Sequence, residues 1–296
     1  MEFEIRSIGF IGAGRLAASL SAALRAAGFS VRAVASQDRA SARTLATAIG
    51  VTEAAPQRVV DSCDLVFLTV PDAVIAPLTA LLPWRRGQSV VHCSGALGLS
   101  ALEPATKRGA LAGCLHPLQS FPSRSPEPAR FQHIYCGVEA PEPLGNYLES
   151  LVSAVGASPF RLEGVDRRLY HAAAVFMSNH VVALASAATR LWELAGLPQS
   201  AAREALSPLL LAAAANVTAL PLNKALTGPV ARGDLATIEG HLRALEATTD
   251  LRELYRALSA ELLELNLNQP PAVARQLAEL LASAFPSPQR GEGIGE

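Results

Sequence analysis

Two polar turns define the chemistry open to this chain. Cys93-Ser94-Gly95-Ala96 and His116-Pro117-Leu118-Gln119-Ser120-Phe121 each follow a short apolar run, Ser89 to His92 and Ala110 to Leu115. A hydroxyl and an imidazole delivered at neighbouring strand ends can hold a substrate hydroxyl or carbonyl and move its proton. The plainer roles are a turn cap for Ser94 and a backbone hydrogen bond for His116. Farther along, His171 and Asn179 sit in one apolar helical run. At helical rise they are about 12 Å apart along the axis and about 80° apart around it, so both can line one side of a cleft. His180 beside them reads as a satisfied core histidine. Arg232, in the loop Leu226-Thr227-Gly228-Pro229-Val230-Ala231-Arg232-Gly233-Asp234, can take a carboxylate or phosphate with its fork of donors, and Asn216 is a second candidate substrate contact.

Those residues need a scaffold, and the stretch Ser7 to Ala17 supplies its first piece. An apolar strand runs into Gly12-Ala13-Gly14-Arg15-Leu16-Ala17, and a small-residue helix continues to Gly28. This is the dinucleotide fingerprint in its strand-turn-helix setting: Gly12 for the tight turn, Gly14 for close approach of a pyrophosphate, Ala17 for helix packing on the sheet. Ala13, Arg15 and Leu16 complete the phosphate turn at the helix N-terminus. The second strand, Ser30 to Ser36, ends where NAD-binding chains usually carry a carboxylate. Here stand Ser36 and, three residues on, Arg39, which favours the extra phosphate of NADP over NAD; Asp38 weighs the other way. Asp64 to Val70 is a continuous apolar run, as expected for a parallel strand covered on both faces, and its end, Val70-Pro71-Asp72, should border the nucleotide, with Asp72 capping the next helix. With a nicotinamide in place, the Ser94 and His116 turns become candidates for proton exchange alongside hydride transfer.

Composition bounds the rest. The 296 residues carry 25 basic and 26 acidic side chains, a formal charge of −1, which makes nucleic acid a poor partner. Met-Glu-Phe-Glu-Ile-Arg lacks the pattern of a secretory signal, so the cytoplasm is expected. Cys63, Cys93, Cys114 and Cys136 lie far apart with no metal-ligand spacing and read as reduced, buried thiols, with neither disulfide nor metal. Strands and helices alternate to about residue 163. Ser100-x-x-Glu103 is a candidate capping box on the way, and residues 122 to 130 form a proline-rich loop that is either a lid or a plain connection. Beyond Asp166 nearly everything reads as helix: Asp166 to Ala195, one from about Ser200, one capped by Asp234, then Asp250 to Leu265 and Pro271 to Ala284. The uncharged stretches Ala172 to Thr189 and Leu206 to Leu220 read as buried helices of a helical core rather than membrane spans. The expected domains are 1–163, 164–285 and a disordered tail, 286–296.

The order of these motifs resembles the bacterial predicted oxidoreductases built from a Rossmann-like domain and a C-terminal helical domain of unknown function. It is similar to the wider group of 6-phosphogluconate, β-hydroxyacid and prephenate dehydrogenases, ketopantoate reductase and pyrroline-5-carboxylate reductase. The resemblance implies an α/β doubly wound sheet followed by an all-α domain like the C-terminal part of 6-phosphogluconate dehydrogenase. It also implies an NADP-linked reaction between the halves, and a homodimer joined through the helical domain. Ser94-Gly95 resembles the substrate-binding turn of the β-hydroxyacid enzymes, and His116-Pro117 the catalytic turn of prephenate dehydrogenases. One departure is clear: β-hydroxyacid enzymes place a Lys four residues before an Asn, and here Val175 precedes Asn179 at that spacing. That leaves His116 or His171 as proton donor. The expected activity is hydride transfer to or from a small anionic carbonyl, imine, hydroxy or amino metabolite. Arg232 would pair with its carboxylate, and Ser94 and Asn179 would orient it. A deazaflavin is a second candidate hydride partner, and the alternative function is a catalytically silent NADP-binding regulatory or scaffolding protein.

Overall fold

The computed structural model describes residues 3–265 and 267–282. The chain divides into two compact units, one running through Val181 and the other starting at Val182.

The first unit is a doubly wound α/β layer. Its elements are β1 (Ile8–Ile11), α1 (Arg15–Ala26), β2 (Val31–Ala35), α2 (Arg39–Ile49), β3 (Thr52–Glu53), α3 (Pro56–Ser62), β4 (Leu65–Leu68), α4 (Asp72–Leu81) and β5 (Ser89–His92). Then follow α5 (Glu103–Thr106), β6 (Leu111–Pro117), β7 (Tyr135–Glu139), α6 (Leu144–Ala154), β8 (Ser158–Arg161) and α7 (Arg167–Phe176). The strands form one sheet in the order β3-β2-β1-β4-β5-β6-β7-β8. Pairing is parallel except between β6 and β7. The order reverses between β1 and β4, the switch point at which open α/β sheets bind ligands.

Strand β4 shows why the apolar run was legible. Leu65 and Phe67 join the buried cluster on one face of the sheet, Val66 and Leu68 that on the other. Alternate side chains of a strand point to opposite faces, so a strand covered on both needs apolar residues throughout. Phe10 of β1 stacks on Phe67 with ring centroids 5.2 Å apart, tying the two strands that flank the switch point.

Helix starts follow local chemistry where it is strong. Asp38 caps α2 by accepting the Ala40 and Ser41 N–H groups at 3.1 and 3.3 Å, and Asp166 caps α7 by accepting those of Arg168 and Leu169 at 2.9 and 3.2 Å. Two expected caps do not form. Ser100 lies inside the 3-10 turn Leu99–Leu102, which carries no side-chain cap. Asp72 stands one position inside α4 after Pro71, and its carboxylate accepts the Ser94 hydroxyl instead.

The single helix expected over Asp166 to Ala195 is two: α7 ends at Phe176 and α8 spans Asn179–Leu194. At the break the Ser178 hydroxyl donates back to the Ala174 carbonyl at 2.7 Å, a contact that bends helices. Residues 167–194 contain an 18-residue window of mean hydropathy 1.4, which by length and composition alone is apolar enough for a membrane span. Their first residue is nevertheless a guanidinium bonded to the sheet edge, as described below. That bonding anchors α7 to the strand ends, within the first unit.

The second unit contains most of α8 and then α9 (Gln199–Ala219), α10 (Leu222–Ala225), α11 (Pro229–Arg232), α12 (Leu235–Ala244), α13 (Thr249–Leu263) and α14 (Pro271–Ala282). Asp234 caps α12 as expected, accepting the Thr237 N–H at 3.1 Å. Val230, Ile238, Leu242, Leu277 and Leu281 form its buried cluster. The two stretches expected to be core helices are not buried: Met177, Val182, Leu209 and Leu211 are 72%, 71%, 69% and 69% exposed. His180, expected in a core, is exposed too, with its ring 4.6 Å from that of Phe176. The expected tail, 286–296, and the end of the last expected helix lie outside the described residues.

Candidate active site

The carboxyl ends of β1, β4, β5 and β6 lie side by side, with Ile11 opposite Leu68, Leu68 opposite His92, and His92 opposite Cys114. Three strand spacings, about 14 Å, therefore separate the Gly12 turn from the end of β6 along one edge.

At the β1 end the chain makes a phosphate turn. Gly12 holds φ +114°, and a Cβ there would run into the Thr69 carbonyl, so the position admits only glycine. Its N–H donates to the Ala35 carbonyl at 2.8 Å, while the Thr69 hydroxyl donates to the Gly12 carbonyl at 3.0 Å. Gly14 caps α1 without a side chain, and a Cβ on it would meet open space. The first helical bond runs from Ala18 N–H to Gly14 O at 3.0 Å, which leaves the preceding N–H groups, those of Arg15 and Leu16 among them, at the open end of a twelve-residue helix. Arg15 is exposed and Leu16 half-buried. An open gap over Gly14 faced by free amides fits a pyrophosphate. Val70 and Pro71 continue the same edge from β4, half-buried and exposed respectively. Ser36, half-buried, stands directly beyond β2. Arg39 is placed differently from expectation: its guanidinium is forked onto Glu53 of β3 at 3.0 and 3.3 Å.

At the β6 end the structure gathers the imidazoles. His116 Nδ1 lies 2.7 Å from the Tyr170 hydroxyl of α7, and the His116 and His171 rings are 5.9 Å apart. Gly95 at the end of β5 is the spacer, because a Cβ on it would strike His171 Nδ1 and the Cε1–Nε2 edge of His116. Burial, reinforced by the nearby His171 and Arg167, pulls His116 down to about 4, and burial pushes Tyr170 up to about 12. Both are neutral near pH 7. With the phenol donating to Nδ1, the ring proton of His116 sits on Nε2, which becomes the donor. His171 Nδ1 is buried without a hydrogen-bond partner among the described residues.

These groups border a cavity of about 550 Å³. One wall is the end of β6, His116 to Ser120; the other is the face of α7 and the break after it, including Tyr170, His171, Val175, Ser178 and Asn179. His171 and Asn179 thus line one side together even though the helix is interrupted between them. Asn179 Oδ1 lies 3.0 Å from the Ser178 hydroxyl, whose proton goes to the Ala174 carbonyl.

Ser94 is held back from that cavity. It is 6% exposed, and its hydroxyl donates to Asp72 at 2.7 Å while accepting the Ala96 and Leu97 N–H groups at 3.2 and 3.0 Å. Its bonds shape the turn that brings Gly95 against the imidazoles. Arg232 and Asn216 are both exposed in the second unit, on α11 and α9.

Arg167 was not singled out from the sequence. It is 9% exposed, and it donates to the Ser94 and Gly95 carbonyls at 2.8 and 3.2 Å and to Cys114 Sγ at 3.0 Å. It also pairs with Glu139 at 3.5 Å and lies 5.7 Å from the Tyr170 ring centroid. A cation in the first turn of a helix opposes the helix dipole. Arg167 and Arg168 both sit there with no acidic neighbour in the turn, and that was the available signal. The four cysteines are free and buried, as expected.

Comparison with known proteins gives the class first. Residues 3–117 match the model of a Rossmann-like domain, and residues 134–262 match a domain of unknown function, DUF2520. The fold is thus a Rossmann-like domain with a parallel sheet followed by a helical C-terminal domain.

Particular solved structures share it. A Bacteroides fragilis protein provisionally assigned as an NADP oxidoreductase is 27% identical, with TM-score 0.73 over 89% of this chain and 100% of that one. The 1-pyrroline-5-carboxylate reductase of Streptococcus pyogenes is 17% identical, with TM-score 0.61 over 86% and 97%. A reductive aminase from Aspergillus terreus, in complex with NADPH and ethyl levulinate, is 15% identical, with TM-score 0.64 over 93% and 99%. No curated protein matches the sequence.

Proposed function

We propose that this protein is an NADP-dependent oxidoreductase acting on a small anionic carbonyl or imine, or on the matching alcohol or amine. The observation that carries this reading is the neutral His116–Tyr170 pair on the wall of a 550 Å³ cavity, on the same sheet edge as the open glycine turn of α1. The fold shared with the Bacteroides protein supports NADP, and the fold shared with the pyrroline reductase and the aminase supports a carbon–nitrogen or carbon–oxygen double bond as target.

In this reading Gly12, Ala13 and Gly14 cradle the pyrophosphate, with the N–H groups of Arg15 and Leu16 behind them and Val70-Pro71 alongside. A nicotinamide, when bound, supplies or accepts the hydride. His116 Nε2 exchanges the proton at the substrate heteroatom, Tyr170 fixes its tautomer, and His171 and Asn179 orient the substrate in the cavity. Arg232 stays the candidate for pairing with a substrate carboxylate, and Asn216 a second candidate substrate contact. The exposed apolar residues of α8 and α9 support a homodimer formed through the helical unit, since uncovered patches of that kind mark association surfaces.

Purified protein is mixed with NADPH and a panel of 2-keto acids, 3-keto acids and cyclic imines, and absorbance is followed. The expected result is substrate-dependent oxidation that falls by about 10²- to 10⁴-fold in His116→Ala with NADPH affinity retained. A second reading, a catalytically silent NADP-binding regulatory or scaffolding protein, draws on Val175, an aliphatic side chain on the cavity wall where the β-hydroxyacid enzymes carry Lys. Tight NADPH binding with no oxidation by any panel member, and no effect of His116→Ala, decides for it.

A further inference from the structure

The guanidinium that the sequence offers to the ribose phosphate of NADP is already engaged, Arg39 being forked onto Glu53. A different arginine reaches the same turn. Arg124 Nη1 donates to the Ser41 hydroxyl at 2.9 Å, across a sequence separation of 83 residues. Ser41 lies in the first turn of α2, immediately after the β2 end that carries Ser36.

The loop bearing Arg124 is held at both ends. Leu118 N–H donates to the Tyr135 carbonyl at 2.9 Å, and Glu127 N–H donates to the Ser19 hydroxyl on the second turn of α1 at 3.3 Å. Arg130 pairs with Glu127 and donates to the Ser120 carbonyl at 3.4 Å. The chain between these anchors leaves the end of β6, reaches the first turn of α2 through Arg124 and then meets the second turn of α1 at Glu127. It follows the edge on which Gly14 opens. An exposed arginine-to-hydroxyl bond contributes little to stability, so the fold does not depend on where Arg124 ends.

We infer that Arg124, rather than Arg39, supplies the cation for the 2′-phosphate of NADP, with Ser36 as a hydroxyl partner, and thereby sets the preference for NADP over NAD. This rests on the dinucleotide reading above. A guanidinium has five N–H donors in a planar fork, and Ser41 takes one of them, so a bidentate approach to phosphate remains open. Asp38 is the group in the turn that opposes a phosphate and suits a bare ribose. Its oxygens are committed to the Ala40 and Ser41 N–H groups and the Ser41 hydroxyl, and Arg124 is the cation that bears on it. The loop also starts directly after Pro117, and its first residues, Leu118 to Ser120, line the substrate cavity. A phosphate held by Arg124 therefore steadies one wall of that cavity.

The full-length protein is titrated with NADPH and with NADH in the absence of substrate, by calorimetry or nucleotide fluorescence, and then with adenosine 2′,5′-bisphosphate and AMP. Wild type is expected to prefer the 2′-phosphorylated member of each pair. Arg124→Ala should weaken NADPH by about 10- to 100-fold and leave NADH within about threefold, with Arg124→Lys recovering part of the loss. Arg39→Ala should cost less than Arg124→Ala. An unchanged NADPH-to-NADH ratio in Arg124→Ala, or loss of preference in Arg39→Ala alone, overturns the assignment while leaving the dinucleotide reading in place. Wild type that binds neither coenzyme overturns both.

Discussion

The two units solve the burial problem in opposite ways. In the first, both faces of the sheet are covered, and Phe10, Phe67, Leu68 and Val91 are completely buried. In the second, the longest helix, α9, buries Ala202 alone among the described residues, while Leu209, Leu210 and Leu211 stand 69%, 46% and 69% exposed. The α/β unit closes its core with its own chain. The helical unit holds a small cluster and leaves apolar residues of α8 and α9 exposed, surface that the homodimer proposed above would cover.

The largest expected effect compares the two directly. Phe67→Ala should lower the stability of the first unit by about 3–5 kcal/mol, the usual cost of deleting a buried ring. Leu211→Ala should change monomer stability by about 0.5 kcal/mol or less. Chemical denaturation of both variants measures the contrast, and equal losses would mean that α9 is as well packed as the sheet. Next comes association. Leu209→Asp with Leu211→Asp should convert a dimer to monomer in light scattering without loss of helical circular dichroism. An assembly unaffected by both charges would remove α9 from the interface.

Acid sharpens the comparison more gently. His92 and His116 are both held down to about 4 from 6.5, chiefly by burial, so in the folded state they stay neutral where the unfolded chain takes up protons. Stability is therefore lost as pH falls from about 6.5 to about 4, with a slope of at most about 2.7 kcal/mol per pH unit for two protons. His241, on α12 of the second unit, is exposed. Melting curves at a series of pH values should show the slope, and His116→Gln should remove about half of it. A slope that survives that substitution intact would place the acid sensitivity elsewhere.

The same contrast explains what could be read from the sequence. Gly12-x-Gly14, the Ile8–Ile11 and Leu65–Leu68 strands and the Asp234 cap were legible because their causes lie within a few residues. His116 and His171 were legible as candidates, but their convergence on Gly95 depends on strand order. The pairing of Arg39 with Glu53 was hidden because β3 is two residues long, too short to leave a pattern. Arg167 was hidden because its partners lie 72 and 73 residues away. The exposure of α8 and α9 was hidden for a further reason: an apolar helix face has the same sequence whether its own chain or another covers it.

The central claim is that a dinucleotide binds across the edge running from the Gly12 turn to His116. Calorimetric titration of the wild-type protein with NADPH, beside the same titration of Gly14→Val, whose side chain fills the open space over the turn, tests it most directly. The account predicts saturable heat for wild type and none for the variant, with circular dichroism showing the variant folded. Absence of heat with both NADPH and NADH in the wild type, or undiminished binding to folded Gly14→Val, would contradict it.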